Sequence, residues 1–399
     1  MSFGADELIW FFVKRGKNLD SEDDCLTNKK ICFIALGAYP LFLNSVDERI
    51  IGPDVHSYVL ANEMCRSGAN VSFIVCDDNI PGQITMNSIK IHKIKNTFKN
   101  ATLNKLFKSI QLIREIWRVN ADIYYQAGGI PAIVSLVCKL FGKKFIYSIA
   151  SDWQVDNIKG NILSGNKYCN TVSYFSWIGN YLDIHLASSI VVQSFSQKHR
   201  LMENYRKHST PIKMSFPLPT DVTPVKPYPP IVIWVGSLAP VKQPLLFIQL
   251  AQCFPDVQFL MIGGDSTDII LNESVKQHAK GVTNLKLLGA VPFNKIDFYY
   301  NNASLLVNTS IYEGFPNSFV QAWMHYVPVL SLNANPDDIL TKYNIGIVSG
   351  SYNRMVSDLG RLLEDSKLRE NMGQNARNYA ESEHDVRANV KKYIHLFDE

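Results

Sequence analysis

Between Pro217 and Pro230 the chain reads PLPTDVTPVKPYPP, with six prolines in fourteen positions. Proline fixes φ and lacks a backbone donor, so this stretch can be neither a helix interior nor a central strand. It is an extended connector. It divides 399 residues into two parts, each of a size that supports one core of roughly 150 to 200 residues.

Both sides of the connector repeat one pattern. Before it come the apolar runs KICFIALG (30–37), NVSFIVCD (70–77), IKIHKI (89–94), DIYYQAGG (122–129), KFIYSIA (144–150) and SSIVVQS (188–194). After it come IVIWVG (231–236), VQFLMIG (257–263), LKLLG (285–289), LLVNT (305–309), VPVLS (327–331) and GIV (346–348). Flat β-branched and aromatic runs suit strands covered on both faces of a parallel sheet. Helical stretches between them complete βα units. The expected architecture is α/β, with two Rossmann-like doubly wound parallel-sheet domains, at 30–216 and 231–380, joined by 217–230. A polar extension, 1–29, precedes the first.

Composition is that of a globular protein, 46% hydrophobic and 19% charged. Seven scattered cysteines without a C-x-x-C pair suit a reducing compartment. LIWFFV at 8–13 is too short for a signal peptide's apolar region and follows acids. The apolar window 130–142 is short for a membrane span. A cytoplasmic location follows, peripheral to the membrane if the basic surface is used.

Charge is uneven: 1–216 carries 25 Lys/Arg against 18 Asp/Glu, whereas 217–399 carries 15 against 18. Lys90–Arg118 holds eight basic residues and one acid, Glu115. Within it Leu106, Ile110, Ile113 and Trp117 fall at helical spacing. That pattern fits a surface helix turning these residues to the core, or an interfacial helix on an anionic membrane. No nucleic-acid-binding module accompanies the run.

In open parallel sheets ligands bind beyond the carboxyl ends of the strands, so the strand-to-helix corners carry the chemistry. Gly52-Pro53 opens a helix after the first strand; glycine admits a close ligand, and Pro at a helix start is also ordinary capping. After 144–150 come Ser151, Asp152 and Asp156, readable as helix caps. That cluster has no histidine, and no metal is expected. WVGSLAPVKQP places Gly236 and Ser237 at a strand end and Lys242 before a helix, a setting for a diphosphate. EGFPNSFVQAW offers the Glu313 carboxylate to hydroxyls and the backbone of Gly314 and Phe315 to a ligand, with Asn317 as helix cap and Gln321 on the same helix face. Together these corners suit a phosphate attached to something rich in hydroxyls, such as a nucleotide-activated sugar.

These residues resemble those of retaining GT-B glycosyltransferases of family 4. The family motif is Glu, seven residues, Glu, in a context like EGFPxxxxEA; here it reads Glu313-GFPNSFV-Gln321-Ala322. The likeness extends over about 30–380 and includes the Gly52 loop, VVQSFSQKHRL, WVGSLAPVKQP, FLMIGG, LLGAVP and EDSKLRENMGQNAR. It departs at Gln321, where the family has Glu, at Ser237, where it has Arg, and at Ala150 or Ser151, where it has His.

The resemblance implies the GT-B fold and sugar transfer from a nucleoside diphosphate sugar with retention of configuration, in glycan, polysaccharide or glycolipid synthesis. Glu313 would bind donor-sugar hydroxyls, and Lys242 would neutralise the leaving diphosphate. Gly236, Ser237, Gly314, Phe315, Pro316, Asn317, Ser318 and Gln321 would line the donor site, with Gly52 reaching it from the first domain. Ser151 and Asp152 would lie on the acceptor or sugar side. No cofactor or metal is implied, 381–399 would return to the first domain, and the acceptor would be a glycan or lipid-linked hydroxyl. The other class consistent with Ser237 and Gln321 is a non-catalytic nucleotide-sugar-binding protein. A nicotinamide-dependent dehydrogenase is a poor fit, because no G-x-G-x-x-G follows either first strand.

Overall fold

The computed structural model describes residues 29–45, 50–77, 82–95, 101–128, 132–156 and 174–398. The aromatic N-terminal stretch 8–13, most of the extension 1–29 and part of the basic run (96–100) lie outside them.

The first domain contains β1 (Lys30–Ile34), α1 (Gly52–Arg66), β2 (Asn70–Cys76), β3 (Gly82–Met86), β4 (Ile89–Ile94), α2 (Ala101–Val119) and β5 (Ile123–Ala127). It continues with α3 (Ile133–Leu140), β6 (Lys144–Ser148), α4 (Tyr174–Leu186), β7 (Ser189–Val192), α5 (Phe195–Tyr205) and β8 (Thr210–Pro211). The sheet runs β3-β4-β2-β1-β5-β6-β7-β8. All its pairings are parallel except β3 with β4. Once past their first residue, β1 and β2 stay buried over four and five positions. That is the burial expected of strands covered by helices on both sides. The edge hairpin β3–β4 turns at Asn87-Ser88, both at positive φ (51° and 64°), as a two-residue hairpin turn requires.

The second domain contains β9 (Ile231–Val235), α6 (Pro244–Cys253), β10 (Gln258–Ile262), α7 (Ile269–Lys280), β11 (Leu285–Gly289), α8 (Ile296–Asn302) and β12 (Leu305–Asn308). Then come α9 (Asn317–Met324), β13 (Val329–Ser331), β14 (Gly346–Val348), α10 (Tyr352–Glu364), α11 (Ser366–Glu383) and α12 (Val386–Asp398). Its sheet, β11-β10-β9-β12-β13-β14, is parallel throughout. In each sheet the strand order reverses beside the first strand, at β1/β5 and at β9/β12. A crevice opens there past the carboxyl ends.

The two domains share a core. Buried side chains on one face of each sheet join in a single cluster through Phe216, Phe315, Trp323, Tyr379 and Tyr393. The connector runs without regular structure and is held by Lys226, whose ammonium donates to the Asn301 carbonyl at 3.0 Å and to that of His325. Helix α12 lies against α1 in the first domain, with the Tyr393 and Tyr125 rings 5.9 Å apart. Lys144 donates to the Phe397 carbonyl at 3.2 Å.

Candidate active site

The site forms where β9 and β12 end side by side. After β9 the chain turns through Gly236 and the 3-10 turn Pro240–Lys242 before α6. Gly236 lies against Gly263 so closely that a Cβ on Gly263 would sit 1.6 Å from the Gly236 carbonyl oxygen. Thr309, just past β12, ties the two corners. It donates to the Lys242 carbonyl at 2.6 Å and accepts from the Trp234 indole at 3.0 Å. Ile311 N–H donates to the Val241 carbonyl at 2.9 Å.

These ties set the Lys242 ammonium on Glu313, to whose Oε1 it donates. The Ser310 hydroxyl donates to the same oxygen at 2.6 Å, and the Asn308 amide at 3.4 Å. Asn308 in turn accepts from Ser310 N–H at 3.1 Å. Three donors converge on Oε1, and Oε2 accepts none from the described residues. The Glu313 side chain is only 12% exposed, so its second oxygen is held in place with acceptor capacity to spare. Asn308 and Ser310 had no part in the sequence reading. Their signal was the polar NTS at the end of an apolar strand, which alone does not reveal its target.

Beyond Glu313 the loop is fixed by its aromatic. Phe315 is buried against Trp323 and His384, with ring centroids 6.4 and 5.3 Å away. Pro316, also buried, holds the N-cap position without a side-chain cap, and α9 starts at Asn317. The sequence reading made Asn317 the cap. Instead its amide crosses to the first domain and donates to the Gly52 carbonyl at 3.0 Å. The prolyl residue already sets an extended entry to the helix, which frees the asparagine side chain. Ser318 follows in the first turn, half-buried. Gln321 is 9% exposed, and its side-chain carbonyl accepts from the Tyr300 hydroxyl at 3.3 Å. Ser237 is exposed at the β9 corner.

The first domain meets the second around this site at three points, two of them on the loop. Besides the Gly52–Asn317 bond, a Cβ on Gly314 would lie 3.3 Å from the Ala150 carbonyl oxygen and 3.4 Å from Ser151 Cα. The corner where the resemblance places a histidine therefore does abut the EGFPNS loop. The third contact is Asp337, whose carboxylate accepts from Phe195 N–H at 2.8 Å and Ser196 N–H at 2.9 Å, at the start of α5.

Of the residues readable as caps, Ser151 does hold the N-cap position of the 3-10 turn Asp152–Gln154, where it forms a capping box with Gln154. The Gln154 side-chain oxygen accepts from Ala150 N–H and Ser151 N–H at 2.8 and 2.9 Å. The Asp152 carboxylate instead accepts from Gln197 at 2.9 Å and Arg200 at 2.7 Å. Arg200 also holds Asp156 at 2.6 Å. Burial raises the Asp156 carboxyl above its ordinary range, and Arg200 opposes that rise. Asp54, one turn into α1, is pushed up to about 6 by burial, against the pull of the Ile51 and Gly37 N–H groups.

Among the described residues no group of three or more His, Cys, Asp and Glu side chains is placed to hold a metal ion. A cavity of about 540 Å³ lies elsewhere, lined by Tyr58, Asn62, Arg66, Ser88 and Phe293 among others, and none of the site residues borders it.

This two-domain arrangement is shared with solved structures. Sucrose-phosphate synthase from Thermosynechococcus elongatus superposes with a TM-score of 0.74, covering 93% of this chain and 98% of that one at 14% identity. The fold is GT-B. Anabaena HepE, solved in complex with UDP and glucose, shares the GT-B arrangement at a TM-score of 0.67 and 14% identity, covering 93% of this chain and all of that one. A glycosyltransferase from Rickettsia africae does so at 0.65 and 15% identity, with 93% and 98% coverage. Residues 221–379, which hold the Lys242–Glu313 corner of this GT-B chain, match the family model described as glycosyl transferases group 1. Glycosyltransferase 1 domain-containing protein 1 of Xenopus tropicalis is 24% identical over 157 residues, 38% of this chain. The match spans 45% of that relative's length.

Proposed function

We propose that the chain transfers a sugar from a nucleoside diphosphate sugar to an acceptor hydroxyl, with retention of configuration and without a metal ion. The observation that carries this is the arrangement of Glu313, with Oε1 fixed by Lys242, Ser310 and Asn308 and Oε2 open to a hydroxyl. The group 1 family match over this corner and the GT-B fold support glycosyl transfer. HepE's complex with UDP and glucose supports a uridine diphosphate donor.

In this reading the donor separates the resting ion pair. Lys242 turns to the diphosphate, while Glu313 keeps Ser310 and Asn308 and takes sugar hydroxyls on its free oxygen. As the bond from the anomeric carbon to the diphosphate breaks, charge grows on the leaving oxygens beside the Lys242 ammonium and the amino end of α9. A fixed positive group stabilises that charge more in the transition state than in the ground state. Gly314, Phe315, Pro316, Asn317 and Ser318 offer backbone along the sugar and diphosphate. Gly236 and Ser237 lie on the far side, and Gly52 closes from the first domain. Ser151 and Asp152 border the acceptor side. Gln321 serves the ribose as a neutral partner, contributing about 1 kcal/mol where a carboxylate gives about 2.

The test is turnover of UDP-glucose and related donors by the purified chain in the presence of EDTA, with the anomeric configuration of the product read by NMR. Release of UDP with a retained α-linkage supports the reading. Tight donor binding without turnover, toward water or any sugar or lipid-linked acceptor, favours the binding-protein alternative that Ser237 and Gln321 suggest.

A further inference from the structure

Helix α2 has two apolar stripes where a surface helix needs one. Leu112 and Ile116 are 0% and 1% exposed and anchor it to the sheet, with Val119 packed beside them. Leu106, Ile110, Ile113 and Trp117 lie roughly 120° away around the helix at 100° per residue, and they are 61%, 54%, 41% and 68% exposed. The sequence pattern allowed these four to face the core, and the structure turns them outward. Helix α3 packs against α2 and adds Leu140 and Phe141, 81% and 49% exposed. Clustered exposed apolar side chains of this size mark an interaction surface.

The charges around the surface identify its partner. Together α2 and α3 carry five basic residues, Lys105, Lys108, Arg114, Arg118 and Lys139, and one acid, Glu115. That acid does not face outward. It is 5% exposed and accepts from Arg118 at 2.9 Å and Arg114 at 3.3 Å, and both arginines remain about half exposed. Two copies of this face brought together by a two-fold axis would set like charge against like. An anionic lipid surface offers both the apolar depth and the opposite charge. No helix among the described residues is long and apolar enough to cross a membrane, so the contact is one of docking.

We propose that the outer faces of α2 and α3 seat the chain on an anionic bilayer. Both helices follow parallel strands, β4 and β5, whose carboxyl ends open on the cleft, so their amino ends stand at its rim. Docking then brings the cleft mouth beside the bilayer. Resting on the transferase reading, this narrows the acceptor to a hydroxyl carried by a membrane lipid.

The experiment is co-sedimentation of the full chain, without nucleotide, with vesicles of phosphatidylcholine alone or mixed equally with phosphatidylglycerol. The chain should partition onto the anionic vesicles at least about tenfold more, with the preference falling as salt is raised. The double variant Trp117→Ser/Leu140→Ser should lower that partition by about tenfold or more. Ile269→Ser/Ile270→Ser, on α7 at 74% and 84% exposure, should leave it unchanged. Equal partition on both vesicle types, no binding, or an equal loss in the α7 variant would overturn the proposal. So would a dimer dissolved by Trp117→Ser/Leu140→Ser, which would assign the face to a second copy. Vesicle binding by a chain that binds no nucleotide sugar would uphold the docking face and refute the transferase reading, so the two failures are separable.

Discussion

The Lys242 ammonium donates to Oε1 of Glu313, 71 residues further along the chain. This one contact joins the corners after β9 and β12, on which the proposed donor site is built. The pair is part-buried, at 26% and 12% side-chain exposure. Its charges therefore face less water than a surface pair would, yet remain within reach of a ligand.

Removing either partner should act on turnover more than on folding. Glu313→Ala and Lys242→Ala are each expected to lower kcat/KM by about a hundredfold or more. Because the two act as a unit, the double variant should lose far less than the product of the single losses. Steady-state kinetics with melting temperatures as the control check this.

Gly263 should tolerate no side chain. A Cβ there would meet the Gly236 carbonyl oxygen at 1.6 Å, and its φ of 153° disfavours other residues. Gly263→Ala is expected to destabilise the second domain by about 3 kcal/mol as β9 and β10 move apart. Urea unfolding midpoints read the loss. Gly281→Ala, with nothing near its Cβ position, should change little.

Asp337 should govern how firmly the cleft stays shut. Its carboxylate accepts two N–H groups at the start of α5 in the other domain. Asp337→Ala should lose about 1 kcal/mol of closure, the usual value of a helix-cap bond. Small-angle scattering should show a larger radius of gyration, and donor KM should rise with melting temperature nearly unchanged.

His56 on α1 should make the protein acid-sensitive. It is 0% exposed with neither ring nitrogen bonded, and burial lowers its pKa to about 4. Its folded value lies below the unfolded one near 6.5, so the stability it supports is present above pH 6.5 and is lost as pH falls toward 4. The full span is worth about 3 kcal/mol. His56→Leu should flatten the fall between pH 6.5 and 4 in chemical denaturation. Asp54, raised to about 6, works the other way, favouring the fold below about pH 4 and losing that contribution as pH rises through 6. Asp54→Asn should therefore steepen the acid loss.

The sheets were legible because parallel strands buried on both faces need continuous apolar runs. Ile89–Ile94, Leu285–Gly289 and Gly346–Val348 begin and end where their runs do. Gly82–Met86 was not legible, since an exposed edge strand needs no apolar run and only the Asn87-Ser88 turn marks it. At the site, Lys242 and Glu313 stood out as charges at strand ends. Asn308, Ser310 and Asp337 did not, because a hydrogen bond across a corner or a cleft leaves no periodic trace. The outward stripe of α2 was ambiguous for a related reason. Helical spacing shows that Leu106, Ile110, Ile113 and Trp117 share a face, but only packing shows which face meets the sheet.

The most direct test of the central claim is thermal stabilisation across UDP, GDP, CMP, ADP and their sugars, for the native chain and Glu313→Ala. One diphosphate should raise the melting temperature of both proteins, and its sugar should add a further increment only in the native chain. That result places the sugar on the Glu313 carboxylate and the diphosphate at Lys242. No shift with any nucleotide at millimolar concentration, or a sugar increment that survives Glu313→Ala, would contradict the account.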